Sequence, residues 1–155
     1  MKTVLLVDDE DDIREVAQMS LEVTAGWNIE GANCGTAGIE KAKELKPDAI
    51  LLDVMMPDMD GYTVCQRLKE NADTQNIPVI FLTAKSESED MIKGFQCGGV
   101  DYITKPFQTP ELLARVRTHT ELKRNRDLIL EYTLDLKERT IELERLNDEK
   151  NQFLL

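Results

Sequence analysis

The sequence predicts an α/β fold in which helices cover both faces of a parallel sheet. Over residues 1–120, short apolar runs alternate with amphipathic stretches. The apolar runs are hydrophobic throughout rather than at every second residue. Such strands are typical of a parallel sheet that is buried on both faces, and strict β-α alternation places the helices on those faces.

The first two βα units are readable from local signals. The first strand is TVLLVDD (3–9), which ends in acids, and apolar residues then recur at helical spacing over about 11–25. WNIEGAN (27–33) is the second strand. The helix that follows it, 36–46, ends at Pro47, because proline cannot continue a helix.

The other three units repeat the pattern with the strands DAILLD, IPVIFLT and VDYITK. The strands cover 48–53, 77–83 and 100–105. The helices that follow them cover 61–71 and 86–96, and the last helix begins near Thr109. Right-handed crossovers leave two leading topologies, the flavodoxin-like strand order 2-1-3-4-5 and a longer Rossmann sheet. The first fits about 120 residues better, so we predict a flavodoxin-like, doubly wound five-stranded parallel sheet.

The residues with reactive side chains fall at one edge of this sheet. Asp8 and Asp9 close strand 1, Asp53 closes strand 3, Thr83 closes strand 4 and Lys105 closes strand 5. Ligands of such sheets bind outside the carboxyl ends of the strands. Strands 1 and 3 are neighbours, so three carboxylates converge there and require a cation. Oxygen ligands without histidine or cysteine favour Mg²⁺.

Lys105 and Thr83 provide a cation and a hydroxyl donor for a phosphoryl group, which makes Asp53 a candidate nucleophile. Each feature alone has an ordinary structural explanation, such as a helix N-cap, a turn aspartate or a Lys-Pro pair after a strand. Their coincidence at four strand ends favours a functional site.

Composition excludes several classes of protein. A net charge of −11 and a pI near 4.6 argue against binding to nucleic acid or to an anionic membrane. Three scattered cysteines give no zinc or disulfide pattern. We find neither a signal peptide nor an apolar run of about 20 residues, so we expect a cytoplasmic location without membrane insertion.

Residues 1–120 resemble the receiver domain of two-component response regulators. The resemblance rests on four motifs: DDE at 8–10, D-x-M-M-P-x-x-x-G at 53–61, T-A at 83–84 and D-Y-I-T-K-P-F at 101–107. It implies that a histidine kinase or phosphotransfer domain phosphorylates Asp53.

The same resemblance implies further roles. Asp9, Asp53 and the backbone carbonyl of Met55 would bind Mg²⁺, and Asp8 would hold metal-bound water. Lys105 would pair with the phosphoryl group, with a cis peptide after it. Thr83 and Tyr102 would form the switch pair, and phosphorylation would repack the face made by helix 4, strand 5 and helix 5. Met55 and Lys85 occupy positions that tune hydrolysis of the phosphoaspartate, and an apolar Met55 predicts a long-lived phosphoryl group.

The tail 121–155 is predicted to continue helix 5 without a break and to form a parallel two-stranded coiled coil. It contains no proline or glycine, and seven of its ten seam positions are apolar in heptad spacing. The seam residues that we assign to a homodimer are Leu122, Ile129, Tyr132, Leu136, Leu143 and Leu146. A monomeric helix that folds back on its own domain is the alternative. We therefore expect two domains, a receiver domain at 1–120 and a dimerisation and relay helix at 121–155.

Residues 145–155, RLNDEKNQFLL, resemble the K-N-x-F-L segment that precedes the phosphoacceptor histidine of sensor histidine kinases. We therefore expect the N-terminal part of a hybrid histidine kinase; a diguanylate cyclase or another output domain is the alternative. The fragment itself is interpreted as a phosphoacceptor rather than a turnover enzyme.

Two alternatives remain for the receiver itself. A Mg²⁺-dependent phosphohydrolase of the haloacid-dehalogenase type would need an acid where Met55 stands, and a flavodoxin-like cofactor carrier would need a phosphate loop in place of the acids after strand 1.

His119, the only histidine, has no recognisable partner and is interpreted as an ordinary helix residue.

Overall fold

The computed structural model describes residues 1–84 and 88–153, and its strands and helices alternate as predicted. The strands are β1 Thr3–Val7, β2 Asn28–Ala32, β3 Ala49–Asp53, β4 Val79–Thr83 and β5 Asp101–Thr104. The helices are α1 Asp11–Ala25, α2 Gly35–Leu45, α3 Gly61–Glu70, α4 Ser88–Gln96 and α5 Thr109–Phe153. Several strands are shorter than predicted. For example, β1 ends before its acids, and β4 begins after Pro78, which has no N–H to donate to the ladder.

The five strands form one parallel sheet with the order β2-β1-β3-β4-β5. This order confirms the flavodoxin-like prediction. In the register of β1 and β3, Val7 lies opposite Leu52, so the residues that follow these two positions are neighbours at the carboxyl edge of the sheet.

The core consists of two apolar layers, one on each face of the sheet. Alternate residues of β1 illustrate this, because Leu5 packs into one layer and Leu6 into the other. Helices α2 and α3 contribute buried residues to the first layer, and α1 and α5 contribute to the second. Both faces are therefore covered, as expected for strands that are apolar throughout.

The chain divides into two compact units, Met1–Thr120 and Glu121–Leu155. The first contains the sheet. The second is helical as far as Phe153, and α5 is one helix from Thr109 to Phe153, which confirms the predicted long C-terminal helix. Among the residues that the structure describes, no helix is both long enough and apolar enough to cross a bilayer.

Candidate functional site

Three carboxylates meet at the carboxyl edge of the sheet. Asp8 follows β1, and its backbone N–H still donates to Ala32 of β2, at 3.1 Å. Asp53 is the last residue of β3. One carboxylate oxygen each of Asp8, Asp9 and Asp53 lie within 4.8 Å of one another. The parallel topology therefore brings together the three acids that the sequence singled out.

Lys105 joins this cluster from the end of β5. Its Nζ lies 2.8 Å from Oδ2 of Asp8 and 3.3 Å from Oδ1 of Asp53. Its backbone N–H donates to the carbonyl of Thr83, at 2.7 Å, and the Lys105–Pro106 peptide is cis, as the resemblance implied. The lysine is thus fixed by its main chain and its side chain, opposite the acids.

The electrostatics of the cluster reflect its burial. Asp8 is fully buried and Asp53 is 4 % exposed, whereas Asp9 is exposed. Burial and then the charge of Asp8 raise the pKa of Asp53 from 3.8 to about 6, although Lys105 opposes this. Burial lowers the pKa of Lys105, but its hydrogen bond to Asp8 and the two carboxylate charges outweigh burial and raise it. An additional cation would relieve the repulsion between Asp8 and Asp53.

The cluster has the chemistry of a site for a hard cation. Its donors are carboxylate oxygens, which suit Mg²⁺ better than softer metals. The backbone nitrogen of Met55 lies 3.4 Å from Oδ1 of Asp53, so the main chain of Met55 passes beside this carboxylate. Its side chain is 66 % exposed. Lys85, the other position predicted to tune hydrolysis, lies outside the described residues.

Tight packing holds the turn after Asp53. The N–H of Gly61 donates to the carbonyl of Val54, at 2.8 Å. A Cβ on Gly61 would lie 2.3 Å from the carbonyl oxygen of Asp53, so a larger residue would displace the end of β3. Asp60 caps α3 by accepting from the N–H of Thr63, at 2.8 Å.

The predicted switch residues line one small cavity. Thr83 is buried at the end of β4, and Tyr102 is half-buried in β5, with its ring 6.3 Å from that of Phe95. The cavity has a volume of about 10 Å³, and Tyr62 and Phe81 also line it. That volume is close to the smallest that holds one water molecule, so a tyrosine ring could not enter it without rearrangement.

Sequence reasoning missed a polar cluster on α5. Nη1 of Arg115 lies 2.7 Å from Oδ1 of Asp101, and Nε2 of His119 lies 3.0 Å from Oδ2 of the same carboxylate. Burial raises the pKa of Asp101, but its hydrogen bonds to Arg115 and His119 outweigh burial and lower it. The interpretation of His119 as a residue without a partner is therefore wrong. No local motif joins positions 101 and 119, because β5 and α5 meet only in the fold.

The six seam residues lie on the part of α5 that belongs to the second unit, and their exposed fractions range from 44 % to 67 %. They are Leu122, Ile129, Tyr132, Leu136, Leu143 and Leu146. Where the structure describes side chains in this unit, it shows four further exposed apolar residues that sequence reasoning left out: Leu128, Leu130, Leu134 and Ile141. At about 100° per residue, Leu130, Leu134 and Ile141 face away from the seam, and Leu128 lies beside it.

Comparison with known proteins identifies the globular unit. The model of the family described as "Response regulator receiver domain" matches residues 4–117. The solved signal receiver domain of a signal transduction histidine kinase from Syntrophus aciditrophicus is 35 % identical, with a TM-score of 0.71 over 78 % of this chain and 91 % of that one.

Two curated relatives are also similar. The DNA-binding dual master transcriptional regulator RpaA of Synechocystis is 45 % identical over 76 % of this chain and 48 % of its own length. A protein named "Probable cyclic di-GMP phosphodiesterase" from Vibrio cholerae is 40 % identical over 94 % of this chain and 34 % of its own length. The chain therefore spans half or less of the length of these relatives.

Proposed function

The chain belongs to the response regulator receiver domain family of two-component systems, and from that premise we propose that Asp53 accepts a phosphoryl group from a histidine kinase or phosphotransfer partner. The observation that supports this most directly is the meeting of Asp8, Asp9 and Asp53 within 4.8 Å, with Lys105 in contact with two of them. A carboxylate that accepts a phosphoryl group needs a fixed cation beside it to balance negative charge, and further acids that can bind a metal ion.

The transfer is a displacement at phosphorus. A carboxylate oxygen of Asp53 forms a bond to the phosphorus of the donor phosphohistidine, and the phosphorus–nitrogen bond breaks. The electron pair of that bond stays on the imidazole ring, and a proton supplied by solvent to the other ring nitrogen makes the leaving imidazole neutral. Lys105 and the Thr83 hydroxyl stabilise the charge on the equatorial oxygens. Asp53 is ionised above its pKa of about 6, so it is available as a nucleophile at neutral pH.

Mg²⁺ is the cofactor that we propose for the acid cluster. Asp9 and Asp53 are proposed as side-chain ligands, Met55 as a backbone ligand, and Asp8 as the residue that holds metal-bound water. The donor set fits because it consists of oxygens, and because burial and then the charge of Asp8 raise the pKa of Asp53, so that a cation would stabilise its ionised form. When bound, the ion supplies charge neutralisation for the incoming phosphoryl group.

Thr83 and Tyr102 are proposed to convert phosphorylation into a change of surface. The phosphoryl group adds acceptor oxygens that attract the Thr83 hydroxyl. The cavity beside both residues is about 10 Å³, too small for an aromatic ring. Movement of Thr83 toward the phosphoryl group would enlarge it, so the ring of Tyr102 could turn inward and repack the surface formed by α4, β5 and α5.

The helical unit from Glu121 is proposed to be a parallel coiled-coil dimer that relays this change. The support is the row of six exposed apolar residues in heptad spacing, which a second copy would cover. We propose a hybrid histidine kinase in the cytoplasm as the whole protein. A cyclic di-GMP phosphodiesterase is a second candidate for the whole protein. It is supported by the match to the Vibrio cholerae relative, which covers 94 % of this chain and therefore extends beyond the receiver domain.

The test is incubation with acetyl phosphate and Mg²⁺, followed by intact mass. We expect one added phosphoryl group, which EDTA and the Asp53→Asn substitution both abolish. Continuous release of phosphate without accumulation of the phosphorylated protein would favour a phosphohydrolase instead. In the full-length protein, autophosphorylation with ATP supports the kinase, and turnover of cyclic di-GMP supports the phosphodiesterase.

A further inference from the structure

The loop between β3 and α3, residues 54–60, carries the main chain of Met55 past Asp53. A backbone carbonyl that binds a metal cannot adjust through side-chain rotation, so the conformation of its loop sets its position. The two ends of this loop are fixed by the bond from Gly61 to Val54 and by the Asp60 cap on α3. Neither contact involves the residues in the middle of the loop.

Asp58, in the middle of the loop, reaches the N-terminus of α2. Its Oδ1 accepts from the N–H of Gly35 at 3.0 Å, and its Oδ2 accepts from the N–H and the hydroxyl of Thr36 at 3.0 and 3.1 Å. The residue at the N-cap position of α2, Cys34, makes no side-chain capping bond. The cap of α2 is therefore supplied by a different loop. These hydrogen bonds lower the pKa of Asp58, so it remains a carboxylate at any ordinary pH.

A second contact ties the same loop to α2. Met59 packs so closely on Gly35 that a Cβ there would lie 2.4 Å from Cγ of Met59 and 2.8 Å from Cγ2 of Val64. Polar and apolar contacts from adjacent loop residues thus converge on the first turn of one helix. Helix α2 itself packs tightly on the sheet, because a Cβ on Gly38 would lie 2.9 Å from Cγ2 of Val7.

We propose that Asp58 is a positioning residue for the metal site: by binding the N-terminus of α2, it holds the loop 54–60 so that the main chain of Met55 stays beside Asp53. The metal site is then formed before the cation arrives. This inference rests on the proposed function, because it assigns Asp58 a part in Mg²⁺ affinity.

The test compares Asp58→Ala with Asp48→Ala in two measurements. Asp48 is a matched control: it is an exposed aspartate that accepts from one backbone N–H, that of Thr3, at 2.8 Å. Thr3 begins β1, so this bond lies at the end of the sheet opposite the acid cluster. Mg²⁺ affinity is measured by calorimetry, and hydrogen exchange of residues 54–60 is measured in EDTA.

We expect Asp58→Ala to weaken Mg²⁺ binding by about tenfold, a typical effect of removing a residue that orients a metal ligand. The same variant should accelerate exchange of the loop amides without metal, and Asp58→Asn, which retains an acceptor oxygen, should restore part of both. Asp48→Ala should change neither measurement. Wild-type affinity in Asp58→Ala would overturn the positioning role, even if its stability fell. Failure of the wild type to bind Mg²⁺ would instead refute the proposed metal site.

Discussion

Replacement of Asp53 by asparagine should stabilise the metal-free protein. The wild-type carboxylate is 4 % exposed and lies beside the fully buried Asp8, so its ionisation is opposed in the folded state. An asparagine side chain has nearly the same shape but carries no charge. The folded state should therefore gain free energy relative to the unfolded chain, where residue 53 is in water in either variant.

The pKa gives the size of this effect. Folding raises the pKa of Asp53 from 3.8 to about 6. One pKa unit corresponds to about 1.4 kcal/mol, so ionisation of Asp53 costs the folded state at most about 3 kcal/mol. The uncharged amide cannot form the ion pair that Asp53 makes with Lys105, which offsets part of this gain. We therefore expect Asp53→Asn to raise the free energy of unfolding by about 1 to 3 kcal/mol. Folded protein binds the proton more tightly here, so wild-type stability falls as pH rises from 3.8 to about 6 and is level above that range.

The assay is urea unfolding in EDTA, followed by the fluorescence of Trp27. This is the only tryptophan, and at 8 % exposure it reports on the unit that contains the sheet. We expect the advantage of Asp53→Asn to be complete at pH 8 and to shrink toward zero at pH 4. A Mg²⁺ concentration of about 100 times Kd adds about 2.7 kcal/mol to the wild type, so saturating Mg²⁺ should largely remove the advantage.

The matched control is Asp48→Asn, because this exposed aspartate binds the backbone N–H of Thr3 and lies away from the acid cluster. It should show neither a gain in stability nor a dependence on Mg²⁺. If Asp53→Asn proved equally stable or less stable than the wild type in EDTA at pH 8, the acid cluster would not be a source of electrostatic strain. The cluster would then not require a cation to balance its charge.

Substitutions in other parts of the chain test the seam on α5, the ion pair of Asp101 and the proposed switch residues. Leu136→Lys should convert the proposed dimer to a monomer in light scattering, whereas Leu134→Lys, on the opposite face of α5, should leave it dimeric; equal effects would refute the seam. Asp101→Asn should cost about 1 kcal/mol of unfolding free energy at pH 7. That cost should disappear as pH falls below 3.8 through the lowered pKa of Asp101, and a pH-independent cost would contradict the ion pair. The Thr83→Ala variant should still gain one phosphoryl group, as measured by intact mass. The NMR signals of Tyr102 should shift less on phosphorylation than in the wild type, and an undiminished shift would exclude the coupling between Thr83 and Tyr102.

The fold and the site were readable from the sequence for one physical reason. In a parallel sheet every strand ends at the same edge, so residues that close separate strands are brought together without any knowledge of side-chain contacts. Asp8, Asp53 and Lys105 are far apart in the chain, yet each position is marked locally by the end of an apolar run. The seam on α5 is likewise a local signal, because heptad spacing depends only on the geometry of one helix.

The contacts that sequence reasoning missed depend on how separate elements pack. Asp58 reads as a turn residue, and nothing near it indicates that it caps a helix that begins at Gly35, before it in the chain. His119 likewise finds Asp101 only because α5 packs beside β5. Such partners are set by distances between elements, which a periodic pattern does not contain.

Charge balance accounts for the proposed coupling between the metal, the phosphoryl group and the switch residues. At pH 8 three carboxylates and Lys105 leave an excess of two negative charges, in a cluster where Asp8 is fully buried. One divalent cation would cancel that excess, so the cluster as a whole would carry no net charge when the anionic phosphoryl group arrives. Conversion of the carboxylate of Asp53 to an acyl phosphate then adds about one negative charge. Thr83 ends the strand beside β3, and its carbonyl already accepts from the backbone of Lys105 at 2.7 Å. This main-chain hydrogen bond joins the ends of β4 and β5, so we expect the two strands to respond together when the side chains of Thr83 and Lys105 move toward the new charge.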